Sequence, residues 1–203
     1  CQAMVDRLLT RADEFRLRLE APLVVATLGG TGTGKSALVN ALVGDDVVPT
    51  GKARPTTTKP LFVARPDIEP AMLGIDPQSV QVIHHPAPAL GNLILIDCPD
   101  PDTTESDAHD RSGREPTNLA RLHAILPHCD AILVTATQQK YRSARVAGEL
   151  AEAAKGARLV FVQTHADSDD DIRDDWRRVL EGEYAPGHLF RIDSLAALGD
   201  VQE

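Results

Sequence analysis

The run Gly29-Gly30-Thr31-Gly32-Thr33-Gly34-Lys35-Ser36 constrains this chain more than any other feature. It follows the run Leu23–Leu28, which reads as a buried strand unpunctuated until the glycines, and precedes Ala37, Leu38, Val39, Ala41, Leu42 and Val43, a helical pattern closed by Gly44. Strand, glycine-rich turn and helix in that order are the context in which G-x-x-x-x-G-K-S cradles phosphate. Gly29 and Gly34 let the backbone curl so that successive N–H groups face an anion, and the helix N-terminus adds its dipole. Lys35 is expected to reach the β- and γ-phosphates, and the Ser36 hydroxyl to ligate Mg²⁺. Nucleotide contacts are expected from Gly30, Thr31, Gly32, Thr33, Gly34, Lys35, Ser36 and Ala37.

The remainder of the chain alternates short apolar runs with helical patterns. Strands are expected at 61–64, 80–84, 93–96, 131–135, 159–163 and 189–192, and helices at 117–126, 141–155, 169–181 and from Ser194 onward. A long loop rich in Pro, Gly and Thr fills 45–60, an irregular excursion with Pro66, Pro70, Gly74 and Pro77 joins two strands, and the acidic stretch 101–116 reads as mobile. This pattern predicts an α/β fold, a mostly parallel central sheet of about six strands with helices on both faces. Residues 1–21 are expected to form an N-terminal helix packed on the domain, with 22–203 as the nucleotide-binding domain.

Adenine and guanine are distinguished elsewhere than in the loop. The strand 159–163 delivers Thr164-His165-Ala166-Asp167 at its carboxyl end. A carboxylate placed there accepts two hydrogen bonds from guanine N1–H and N2–H₂, donors that adenine lacks. Charge-assisted bonds of ~1.5–3 kcal/mol each give ~10²–10⁴-fold discrimination. The alternative is that Asp167 merely opens an acidic helix turn with Asp169, Asp170 and Asp171.

Composition removes several other classes. A net charge of −9 without a Lys/Arg-rich run argues against a nucleic-acid surface in this segment. Cys1, Cys98 and Cys129 lack metal-type spacing and read as reduced thiols of a cytoplasmic protein. Cys98 reads as a packed thiol rather than a redox switch. His84-His85, adjacent on a strand, point to opposite faces and suit no metal. No apolar stretch approaches the ~20 residues of a membrane span, and a chain beginning at Cys reads as an excerpt of a longer protein.

Taken together, G-x-x-x-x-G-K-S followed by Ala-Leu-Val-Asn40-Ala-Leu, then Pro55-Thr56-Thr57, Asp97-Cys98-Pro99 and Thr164-x-x-Asp167, resembles the translation-factor-related GTPases. Among these, it is most similar to the dynamin-like bacterial GTPases, over residues of about 20 to 200. The resemblance implies a P-loop G domain that binds GTP/GDP and Mg²⁺, with two switch loops sensing the γ-phosphate. In the first, Thr57 or Thr58 caps Mg²⁺, depending on alignment, with Thr57 preferred. Asp97 holds Mg²⁺ through water, as a Walker B acid does. Ser194 and Leu195 match the short loop whose backbone supports guanine.

Four departures qualify this reading. The usual D-x-x-G is Asp97-Cys98-Pro99-Asp100, so the γ-phosphate-sensing Gly is an Asp, whose carboxylate is expected to turn away from phosphate. The usual Lys of the base motif is His165. Gly32 replaces the cation-binding Asn of potassium-activated relatives. Thr31 stands where dynamins place the residue that positions attacking water, making Lys35, Thr31 and Thr57 the expected catalytic set. Arg54, Arg111 and Arg114 read as solvated charge, with an arginine finger as the alternative.

The expected function is a switch protein with Mg²⁺-dependent, slow GTP hydrolysis, accelerated by assembly, including a nucleotide-dependent homodimer, or by a partner. The alternatives are a GTP-binding module without useful turnover and an ATP-dependent enzyme. Any membrane-peripheral role would come through segments outside these 203 residues.

Overall fold

The computed structural model describes residues 21–51, 59–100, 118–143, 156–181, 187 and 189–202, together with Met4 and Arg7. The rest of the helix expected before Pro22, Arg54, Thr57, Thr58, the stretch 101–116, and all but the start of the helix expected over 141–155 lie outside them.

Seven strands form one sheet: β1 (Leu23–Leu28), β2 (Leu61–Ala64), β3 (Gln81–His84), β4 (Leu93–Asp97), β5 (Ala131–Ala136), β6 (Arg158–Gln163) and β7 (Leu189–Arg191). Their order is β3-β2-β4-β1-β5-β6-β7. All neighbours pair in parallel except β2 with β4, so β2 and β3 run against the rest. These seven strands stand at the seven strand positions read in the sequence, close to the sheet of about six expected. β3 lies at the edge, joined to its parallel neighbour β2 by a crossover containing two 3₁₀ turns, Pro70–Leu73 and Pro77–Ser79, instead of an α-helix. A proline opens each turn, and Ile75, Ile68 and Leu73 pack down onto the core, which makes so short a crossover stable.

Four α-helices are described: α1 (Lys35–Val43), α2 (Asn118–Ile125), α3 (Arg173–Leu180) and α4 (Ser194–Gln202). Alternate residues of β1 divide between the two faces of the sheet, as a two-residue period requires. Val24, Ala26 and Leu28 join Leu122 and Ile125 of α2 and Trp176 of α3 in one core. Val25 joins Val39 and Val43 of α1 in the other. With few aromatics, the first core rests on aliphatic residues around one ring pair, Phe161 edge-on to Trp176 at 5.6 Å and 82°. α4 packs beside α1.

The helix expected from residue 169 starts only at Arg173. Side chains outcompete the helix for the intervening backbone. The Asp170 backbone N–H donates to Gln138 Oε1 at 3.2 Å, and the Gln163 side chain donates to the Asp170 carbonyl at 2.6 Å while accepting from Ile172 N–H at 3.0 Å.

Candidate nucleotide site

The glycine-rich loop leaves β1 at the carboxyl end of the sheet and runs into α1, so the helix N-terminus faces whatever the loop encloses. Two glycines are obligatory here. A Cβ on Gly29 would lie 2.4 Å from Thr135 Oγ1 and 2.5 Å from the Thr135 carbonyl. Gly34 takes the left-handed conformation, φ 75°, with a Cβ position 3.3 Å from the Thr164 side chain. The loop is braced inward by Thr33, whose hydroxyl donates to the Gly30 carbonyl and lies 2.8 Å from Thr135 Oγ1. Thr135 in turn donates to the Leu28 carbonyl.

Lys35 folds back over the loop, its ammonium donating to the carbonyls of Gly29 (2.7 Å) and Gly30 (3.1 Å). Burial pushes its pKa below the ordinary lysine value, against the opposing pull of Asp97 and Asp100. Ser36 donates to Asp97 Oδ2 at 2.7 Å, and Thr27 donates to Asp97 Oδ1 at 3.0 Å, holding a fully buried carboxylate at the end of β4. The expected metal pair Ser36 and Asp97 is therefore assembled, while Thr57 and Thr58 lie outside the described residues. Next to Asp97, burial drives the Cys98 thiol well above its ordinary pKa, consistent with the packed reading.

Asp100 behaves otherwise than expected. Its carboxylate turns onto the phosphate loop, where Oδ2 accepts from both the Thr31 amide and the Thr31 hydroxyl at 2.5 Å. The physical reason is burial: only 9% exposed, the carboxylate needs donors, and Thr31 offers two. The Lys140 ammonium donates to the Thr31 carbonyl, and Asn118, at the start of α2, donates to the Asp100 carbonyl at 3.4 Å.

The base-recognition loop leaves β6 beside this loop. The Thr164 hydroxyl donates to the Thr33 carbonyl at 2.8 Å, tying the two loops together. His165 adopts φ 55°, rare for a side-chain-bearing residue, which sets its ring 3.5 Å from the Gly34 Cβ position. The Arg191 guanidinium holds the turn from below through the carbonyls of Ala166 (2.8 Å) and Asp169 (2.7 Å). Asp167 is exposed on this turn, and its carboxylate makes no hydrogen bond among the described residues. At the start of α4, Asp193 accepts from the amides of Leu195 and Ala196 at 3.0 Å, and the Ser194 side chain is buried while Leu195 is exposed.

The sequence profile of the 50S ribosome-binding GTPase family matches residues 24–164, from β1 to the first residue of the base loop. The chain belongs to this family. Membership accounts for the α/β architecture and supports guanine-nucleotide binding. A search of the curated proteins finds no match. Among solved structures, a bacterial dynamin pair that senses and tethers membranes is 13% identical, with TM-score 0.55, covering 98% of this chain and 36% of that one. Aquifex aeolicus Era bound to GDP·AlF4⁻ is 16% identical, TM-score 0.52, covering 85% and 51%. A bacterial selenocysteine-specific elongation factor is 14% identical, TM-score 0.52, covering 90% and 28%. These likenesses are of fold, and the chain spans about half or less of each.

Several residues that shape this GTPase-family site carry no motif. Thr135, Lys140, Gln138, Gln163, Asn118 and Arg191 reach the loops from other elements, and no local spacing marks them. Asp100 alone carried a signal, as the departure from the family's glycine.

Proposed function

We propose that this chain is a GTP-binding switch domain with Mg²⁺-dependent, slow hydrolysis that assembly or a partner accelerates. The observation that carries the reading is the Thr164–Thr33 hydrogen bond. It sets the base loop at a fixed distance from the phosphate loop, as recognition of one nucleotide by both requires.

The donor set suits Mg²⁺. Ser36 Oγ and Asp97 Oδ2 are hard oxygen donors converging at 2.7 Å, and among the described residues no three His, Cys, Asp or Glu gather into an all-protein cage. Ser36 would ligate the ion directly and Asp97 through water, with Thr57 or Thr58 as the first-switch cap. Bound there, Mg²⁺ neutralises charge on the β- and γ-phosphates.

In this reading Lys35 leaves the Gly29 and Gly30 carbonyls for the phosphates, at small cost because its burial already disfavours the unpaired charge. The amides from Gly30 to Ala37 line the phosphate track. Asp167 pairs with guanine N1–H and N2–H₂, His165 packs beside the base, and the Ser194–Leu195 backbone approaches its carbonyl. Thr31 orients attacking water less rigidly than a Gln would, which makes hydrolysis slow.

A second reading, a module that holds GTP without useful turnover, is favoured by Thr31's engagement with Asp100. Likeness to the dynamin pair over 98% of the chain supports a dynamin-like assembly, in which nucleotide-dependent homodimers accelerate turnover. Any membrane association is assigned to segments beyond this domain, and the domain itself to the cytoplasm. Among the described residues no helix is long and apolar enough to cross a membrane.

The test is competition of GDP, ADP and xanthosine diphosphate against labelled GDP, on the wild type and Asp167→Asn. Asp167→Asn should lose ~10²-fold or more in GDP affinity and gain for xanthosine diphosphate, whose O2 carbonyl accepts from the new amide. ADP competing as well as GDP would sink the guanine assignment. Single-turnover hydrolysis at low and high protein concentration separates the slow enzyme from the inert module.

A further inference from the structure

We propose that Asp100 sets the nucleotide preference of this site by holding the γ-phosphate's place on the loop, so that GTP, but not GDP, must displace it. The proposal rests on the guanine-nucleotide reading above and deepens it.

A phosphate-binding loop works by aiming backbone N–H groups at phosphate oxygens. Here one of those donors, the Thr31 amide, is already taken by Asp100 Oδ2, and the Thr31 hydroxyl serves the same oxygen. A carboxylate oxygen resembles a phosphate oxygen in what matters to the loop: it is anionic and accepts only. Asp100 also lies 4.0 Å from the Cβ position of Gly30, so it sits against the loop rather than beside it.

Position along the phosphate track decides which phosphate is mimicked. The helix end of the loop, Gly34 to Ser36, faces the β-phosphate, and Ser36 with Asp97 marks the metal position between β and γ. Thr31 is further from the helix, and Asp100 is three residues beyond Asp97. Their contact lies on the γ side. A diphosphate leaves that contact alone, whereas a triphosphate brings a second anion to the same donors, and the two cannot share them.

Two features make the carboxylate a poised occupant. Its backbone carbonyl accepts from Asn118 of α2 at 3.4 Å, which ties this residue to the helix while its side chain lies on the loop. Two ammonium groups are also near: Lys35 feels the charge of Asp100, and Lys140 sits on the Thr31 carbonyl. Both ammonium groups stand beside the loop that a γ-phosphate would enter once the carboxylate swings out. The family's usual glycine, with no side chain, cannot occupy the loop in this way.

The test measures affinities for GDP and a non-hydrolysable GTP analogue at matched Mg²⁺, for the wild type, Asp100→Ala and Asp100→Asn. Expected is a wild type that favours GDP, and a shift of the triphosphate-to-diphosphate affinity ratio toward triphosphate of about tenfold or more in Asp100→Ala. Asp100→Asn, which keeps the shape and removes the charge, should shift the ratio in the same direction and decides the matter if the alanine variant does not fold. An unchanged ratio in the folded variants, or a shift toward GDP, overturns the proposal and leaves guanine binding intact. Failure of the wild type to bind GDP overturns the underlying reading, and that result appears before any variant is compared.

Discussion

Ser36 and Asp97 lie 61 residues apart in sequence, yet the hydroxyl of one donates to the carboxylate of the other at 2.7 Å. The contact exists because β1 and β4 pair in parallel with Thr27 opposite Asp97, which brings the end of one strand alongside the loop that leaves the other. Thr27 then fixes the second carboxylate oxygen. The arrangement presents one directed hydroxyl and one oriented carboxylate at the mouth of the phosphate loop.

Removing either partner should uncouple nucleotide affinity from Mg²⁺. For wild-type protein, EDTA is expected to weaken binding of the GTP analogue by about tenfold or more, since the ion bridges protein and phosphates. In Ser36→Ala and Asp97→Asn, affinities measured with Mg²⁺ and with EDTA should nearly coincide. An undiminished EDTA effect in both variants would remove these residues from the metal site.

Gly29→Ala should destabilise the fold itself. Its Cβ would meet the Thr135 carbonyl at 2.5 Å and Thr33 Oγ1 at 2.7 Å, and the carbonyl belongs to a central strand that cannot shift alone. Overpacking of this kind costs about 2 kcal/mol, or roughly 5 °C in Tm for a domain of this size. Thermal melts by circular dichroism check it, and a Tm within 1 °C of wild type, about a fifth of that loss, would contradict the contact.

Lys35→Met should bind no nucleotide and yet be at least as stable as the nucleotide-free wild type. The native pKa of Lys35 is lowered by burial, so between that value and the ordinary lysine value the unfolded chain binds a proton that the native state does not. Stability therefore rises with pH across that window, and the full deficit is present below it. The advantage of Lys35→Met should accordingly shrink as pH rises toward the ordinary lysine value of 10.5. Urea unfolding at several pH values reads the difference, and an advantage that grows with pH would refute it.

Cys98 and Cys129 should be inert toward thiol reagents in the native protein. Both are buried, Cys98 pushed well above its ordinary pKa and Cys129 up to about 12, so neither offers thiolate at neutral pH. In a Cys1→Ser background, a disulfide reagent at pH 8 should titrate no thiol until denaturant is added. Rapid modification of either cysteine in the native state would show that the region around Asp97 opens.

Much of the architecture was legible because it is written in local pattern. Short apolar runs bounded by polar or turn-forming residues marked all seven strand positions to within about two residues. The failure at 169–172 is instructive. Acidic residues before an amphipathic helix read as its first turn, but the side chains of Gln138 and Gln163, from neighbouring strand ends, take the backbone groups that a helix would need. No property of residues 169–172 themselves reveals that competition. Asp100 shows the same limit at the site: its identity was visible, while its direction depended on the donors of Thr31.

By itself, the sequence determined that a strand–loop–helix with G-x-x-x-x-G-K-S begins the sheet, because glycine conformation, helix start and apolar period are each properties of a few adjacent residues. It also named the residues that follow the other strands. Tertiary structure alone decided that Thr164 locks onto Thr33, that Thr135 forbids any side chain at Gly29, and that the Asp100 carboxylate turns into the loop. Each of these joins segments tens of residues apart, and strand order and register, which are collective properties of the packed sheet, set which side chains meet.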